Sequence, residues 1–164
     1  MASKKSRREL IDEIGLEIRA TQNRSDRYDE LAAEIMGVNR TDLRCIDILD
    51  RLGPLPAGRL AEEMGLTSGA VTTVVDRLER VGYARRAADK DDRRRVLIEI
   101  TPKAARLGME LYGGFLEGTQ RLFAAYSEAE LELVLDFLRR GAELGDEQLA
   151  RLEEKRAQAR RRRG

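Results

Sequence analysis

Histidine and tryptophan are absent from the chain, and cysteine occurs once. Without histidine there is no side chain that titrates near neutrality by default. That removes the usual acid–base residue and the commonest zinc ligand together. A single thiol excludes an internal disulfide and fits a reducing, cytoplasmic setting. With 3 Phe and 4 Tyr, any core must be mainly aliphatic. No apolar run approaches the roughly 18 residues of a membrane span. The basic start, MASKKSRREL, lacks the apolar stretch of a secretion signal. There is no nucleophile–base pair, Gly-rich phosphate loop or metal-ligand spacing, so nothing supports an enzyme and no cofactor or metal is expected.

What is present is charge and helical periodicity. Charged residues make up 37% of the 164 and apolar residues 41%, with a net charge of +1. That suits one domain, or a small domain carrying helical extensions. Residues 1–8 read as a basic, disordered arm. From residue 9 to 38 a long helix is expected, with Ile11, Ile14 and Ile18 and then Tyr28, Leu31, Ala32 and Ile35 at helical spacing. Asn39 is a good cap for a second helix, on which Leu43, Ile46 and Leu49 form one stripe and Cys45, Ile48 and Leu52 another. A helix apolar on two faces sits between packing layers. GPLP at 53–56 interrupts the chain, and Pro56 suits the first turn of the next helix.

Residues 56–82 read as two short helices around Gly65, with Thr67 as the cap of the second and Gly82 as its end. Ala61 is small enough for a close helix crossing, and Gly65 tolerates the positive φ of a tight turn. A buried seam of Leu60, Met64, Leu66, Val71, Val74 and Leu78 follows. It leaves Thr67, Ser68, Gly69, Thr72, Thr73 and Arg77 for the outer face. Short hydroxyls bond base edges or phosphates, and arginine prefers guanine or phosphate. An ordinary surface helix would look the same in isolation.

The next segment changes that balance. YARRA and VLIEI are short, partly β-branched runs joined by a charged loop, which reads as a hairpin. Residues 85–95 hold six cations and three acids, an excess of +3, so the rest of the chain is −2. A two-stranded wing beside a helix-turn-helix reaches the neighbouring minor groove, whose negative potential attracts arginine. Arg86, Lys90, Arg93, Arg94 and Arg95 are the candidate wing cations. Asp92 is placed to pair with a neighbouring guanidinium and fix its direction. Thr101-Pro102 then caps another helix, and SEAE at 127–130 is a capping box that opens the last one. The expected fold is mainly α with a small β-hairpin wing.

SGAVTTVVDRLERVGYARR followed by DKDDRRRVLIEITPKA resembles the MarR (multiple antibiotic resistance regulator) family of winged-helix regulators. The resemblance covers roughly residues 9–144. It implies a homodimer on a pseudo-palindromic duplex-DNA operator, usually as a repressor and often released by a small molecule. It implies further that 9–38 and 102–144 are dimerisation helices flanking a winged helix-turn-helix at 39–101. Carried over by position, Arg94 is the minor-groove arginine and Asp92 its orienting partner. Residues 145–164 lie beyond the resemblance and read as a charged C-terminal extension.

Two smaller expectations remain. Gln22, Arg24, Tyr28, Cys45, Ile48 and Leu52 form a candidate effector pocket for a small phenolic or amphipathic ligand. Cys45, set in an apolar stripe, reads as buried and inert rather than as a redox sensor. Fold alone does not fix function. An effector-independent DNA-binding protein and a winged-helix protein-interaction module without DNA specificity stay open as alternatives.

Overall fold

The computed structural model describes residues 5–90, 92 and 94–162. Among them the order is α1 (Arg7–Met36), α2 (Arg40–Leu52), β1 (Leu55–Pro56), α3 (Ala57–Met64), α4 (Ser68–Val81), β2 (Ala84–Ala88), β3 (Val96–Ile100), α5 (Pro102–Phe123) and α6 (Glu128–Arg161). Two compact units result, Met1–Gly113 and Gly114–Gly164, and their boundary falls inside α5.

Local chemistry explains the helix starts. The Ser6 hydroxyl accepts from the Glu9 N–H at 3.3 Å, and the Glu9 carboxylate accepts from the Ser6 N–H at 2.7 Å. This capping box satisfies two donors that a helix end otherwise leaves unpaired. The Ser6 backbone N–H, then its hydroxyl, holds the Glu9 carboxyl below its usual value. The basic arm expected at 1–8 is therefore corrected: helix begins at Arg7, and 1–4 lie outside the described residues. Ser127 and Glu130 form the equivalent box ahead of α6. That helix does not end near Gly145 but continues to Arg161. The extension expected at 145–164 is thus helical, and 163–164 lie outside the described residues.

In the winged part, Asn39 caps α2 and Thr67 caps α4 through their side-chain oxygens. Gly65 (φ 61°) and Gly82 (φ 75°) close α3 and α4 in the left-handed region, where an L side chain is strained. Thr101 joins two elements. Its hydroxyl donates to the Gly82 carbonyl at 2.7 Å and accepts from the Ala104 N–H at the start of α5.

The sheet has three antiparallel strands in the order β1-β3-β2. Ala84 pairs with Ile100 and Ala88 with Val96, while Leu55 pairs with Ile98. The hairpin reading omits β1. Pro56, expected in the first turn of α3, is instead its N-cap and the end of that edge strand, where a missing N–H does no harm.

The core joins α1–α4 to the sheet and the start of α5. Leu60, Met64, Val71, Val74 and Leu78 are buried, but Leu66 is exposed at the turn and Val75 takes a core place instead. On α1 the expected stripe is shifted. Leu31 and Ile35 are exposed, whereas Ala32, Ala33 and Met36 are buried. Small alanines let α1 lie close against its neighbours. Tyr83 fixes the helix end by donating to the Met36 carbonyl at 3.1 Å.

Candidate nucleic-acid interface

The open face of α4 is made of small polar groups. Ser68, Gly69, Thr72 and Thr73 are exposed, as is the cap Thr67. Thr72 and Thr73 donate their hydroxyl hydrogens to the carbonyls of Ser68 and Gly69, at 3.0 and 3.1 Å. A threonine whose hydrogen is used within the helix still presents oxygen lone pairs and a methyl group. Such a surface suits base edges that donate, and it suits the thymine methyl.

Arg77 has a different place from the one expected. Its Nε donates to Asp42 Oδ2 at 3.0 Å, and its Nη2 donates to Asp42 Oδ1. The Asp42 side chain is 4% exposed and that of Arg77 35%. A carboxylate buried to this degree needs a cation and good hydrogen bonds. Asp42 lies in the first turn of α2, so the pair ties α4 to α2. Hydrogen bonding to Asp42 pushes the Arg77 guanidinium above its ordinary value. Arg77, expected on the outer face, is thus engaged with a buried acid while its side chain stays partly exposed. The sequence placed Asp42 only at the N3 position of α2; a partner 35 residues away leaves no local periodic signal.

The wing cations also divide. Arg86 donates through Nη2 to Asp76 Oδ1 at 2.8 Å and through Nη1 to Glu79, both on α4. The Arg86 backbone N–H donates to the same Glu79 at 2.9 Å. The hydrogen bond to Asp76 is the largest cause that raises the Arg86 guanidinium's pKa. Arg85 pairs across the strands with Glu99 at 2.6 Å, and Arg95 lies 3.9 Å from Asp89 at the neck of the loop. Arg86 and Arg95 thus have acidic neighbours within the chain, while Arg95 stays exposed. Arg94 and Lys90 are exposed, and among the described residues neither has an ion pair. Asp92 accepts from the Arg94 backbone N–H at 3.0 Å. It therefore shapes the turn that carries Arg94 through the backbone, where a guanidinium partner was expected. Arg93 lies outside the described residues.

The six candidate effector residues differ widely in exposure. Cys45 and Ile48 belong to the core, Leu52 is half exposed at the end of α2, and Gln22 and Arg24 are exposed on α1. Tyr28 donates to the Leu111 carbonyl and packs against Tyr112, ring centroids 5.2 Å apart. Tyr112 in turn donates to Asp29 at 2.9 Å. Burial, then the bond to Asp29, raises the Tyr112 phenol's pKa. These contacts fasten α1 to α5. Burial, followed by the nearby Asp42 charge, pushes the Cys45 thiol up to about 12. Among the described residues no group of ligating side chains could hold a metal, and no helix is long and apolar enough to cross a membrane.

Comparison with known proteins agrees with this geometry. The MarR family model matches residues 38–96, the span from the start of α2 into the wing. YcgE of Bacillus subtilis (strain 168), an uncharacterized HTH-type transcriptional regulator, is 37% identical over 154 residues, covering 94% of this chain and 100% of its own length. Among solved structures, a MarR family protein from Bacillus stearothermophilus has a TM-score of 0.60 at 20% identity, covering 83% of this chain and 95% of that one. A variant of S. aureus MepR bound to an oligodeoxyribonucleotide has a TM-score of 0.54 at 21% identity, covering 77% and 94%. At such identities the likeness to the solved structures is one of fold.

Proposed function

Because the chain belongs to the MarR family of helix-turn-helix transcriptional regulators, we propose that it is a sequence-specific repressor that binds a pseudo-palindromic duplex-DNA operator as a homodimer in the cytoplasm. The α4 face of Ser68, Gly69, Thr72 and Thr73 enters the major groove, with Thr67 at its cap. Arg94, with Lys90 beside it, reaches the adjacent minor groove. The observation that carries this reading is selective pairing of charge. Arg77, Arg85, Arg86 and Arg95 are turned toward acids, while Lys90 and Arg94 at the wing tip have no ion pair among the described residues. A solvated turn has no need of that division. An element that meets phosphate and a negative groove does.

The dimer is supported by apolar surface. Leu10, Ile11, Ile14 and Ile18 on α1 and Leu116, Leu122, Leu135 and Leu138 in the second unit are exposed. So much uncovered apolar surface is unusual for a monomer. A second copy covers it and supplies the two-fold axis that a palindrome requires. Of the two DNA-binding readings, the effector-independent one is favoured by the engaged Tyr28 and the core positions of Cys45 and Ile48.

The test is selection from a random duplex pool, followed by footprinting. The expected result is a two-fold symmetric site whose half-sites lie about 10 base pairs apart, centre to centre. Affinity for that site should fall steeply as salt rises. Recovery of no preferred duplex would contradict the function.

A further inference from the structure

The three-residue contact between wing and recognition helix has a geometry that a loose surface pair lacks. Arg86 sits mid-ladder on β2, opposite Ile98 of β3. Its guanidinium spans Asp76 and Glu79, which are three residues apart on α4 and so on one side of it. Glu79 also accepts the Arg86 backbone N–H at 2.9 Å, so one carboxylate grips both the strand and its side chain. The opposite attachment of α4 is the Arg77–Asp42 pair to α2. The recognition helix is held from two directions by ionic contacts, and the wing is registered against it by one of them.

We propose that Arg86, Asp76 and Glu79 form a clamp that sets the angle between wing and recognition helix, and so determine operator specificity without touching DNA. The inference rests on the DNA-binding reading above. Two elements that read neighbouring grooves of one duplex must keep a constant spacing. The five residues of β2 span roughly 16 Å at ~3.3 Å each. A swing of about 10° at the base therefore displaces the far end by about 3 Å, close to the ~3.4 Å step between bases. A wing free to swing by that amount places Arg94 against the wrong step. The clamp also explains why the DNA-facing domain keeps two acids close to its cations, a placement that attraction to phosphate alone disfavours.

That last point gives a test whose sign separates the explanations. The full-length double variant Asp76→Asn with Glu79→Gln removes two negative charges beside the DNA-facing surface. Titrations would use the selected operator and the same duplex with scrambled half-sites, over a series of salt concentrations, with thermal melting followed by circular dichroism. The clamp predicts that operator affinity falls at least tenfold while affinity for the scrambled duplex stays level or rises, so the specificity ratio collapses with the melting temperature little changed. Tighter binding to both duplexes at an unchanged ratio would overturn the clamp in favour of simple electrostatics. Equal loss on both, together with lowered melting, would overturn it in favour of a merely structural contact. Arg86→Lys supplies the second variant, since it keeps the charge but loses the grip on two carboxylates. Its operator affinity should fall with the salt slope preserved, and a ratio equal to wild type would overturn the proposal. A wild-type protein that does not distinguish the two duplexes overturns the functional reading itself. In every other failure wild-type discrimination survives, so failure of the clamp and failure of the functional reading are separable.

Discussion

The Met1–Gly113 and Gly114–Gly164 units are both rich in helix and in leucine, but only the first buries a core, while the start of its α1 stays as exposed as the second unit. Every buried apolar residue among those described lies between Ala32 and Ala104. In the second unit Leu116, Leu122, Leu133, Leu135, Phe137, Leu138 and Leu149 are all exposed. The difference follows from what each stretch can fold against. Short helices broken by Gly53, Gly65 and Gly82 turn back on one another and on the sheet, so their apolar faces meet. In α6, 34 residues run without such a break and cannot cover themselves. The winged part covers its own core; the second unit leaves its apolar side chains exposed.

The most disruptive way to probe this contrast is to charge the uncovered surface. Leu135→Glu should abolish the dimer at micromolar concentration, as read by sedimentation, whereas a variant that remains a dimer would show that the exposed stripe is not the interface. Inside the winged unit, Arg77→Ala should cost ~3 kcal/mol in urea melts, because it strands the buried Asp42 carboxylate. Asp42→Ala should cost less, since the freed guanidinium can turn to water. Equal losses would mean that the pair is not asymmetrically buried. The mildest probe is Cys45. Its native thiol holds its proton up to about 12, against an ordinary value of 9.0. The native state therefore binds this proton more tightly than the unfolded chain does. The associated stability is complete below pH 9 and is lost as the pH rises from there toward 12. At pH 8 a thiol reagent should leave the folded protein unlabelled and react only after unfolding, and rapid native labelling would contradict the burial.

Much of this was legible in the sequence because it is local. The Thr67 cap, the glycines at 65 and 82, the Thr101-Pro102 start and the box at Ser127–Glu130 each act within four residues or fewer. The same rule could have found the SRRE box at 6–9, which sets the true start of α1. Strand β1 has two residues, too few for any period to show. On α1 the expected stripe held Ala32, which is buried, but it missed Ala33 and Met36, and its large members Leu31 and Ile35 stay exposed. Counting charge along the hairpin gave six cations, and only the family resemblance singled out Arg94. Only the three-dimensional pairing of Arg85 with Glu99, of Arg86 with α4 and of Arg95 with Asp89 separates these from Lys90 and Arg94, which have no ion pair among the described residues.

That separation is tested most directly at the wing tip. Wild type and Arg94→Ala would be titrated against the footprinted operator at fixed salt, with folding of both verified by circular dichroism. The account predicts at least a fivefold loss of operator affinity for Arg94→Ala, consistent with ~1–3 kcal/mol for one specific groove contact, and an unchanged melting temperature. Equal operator affinity in the two proteins would contradict it.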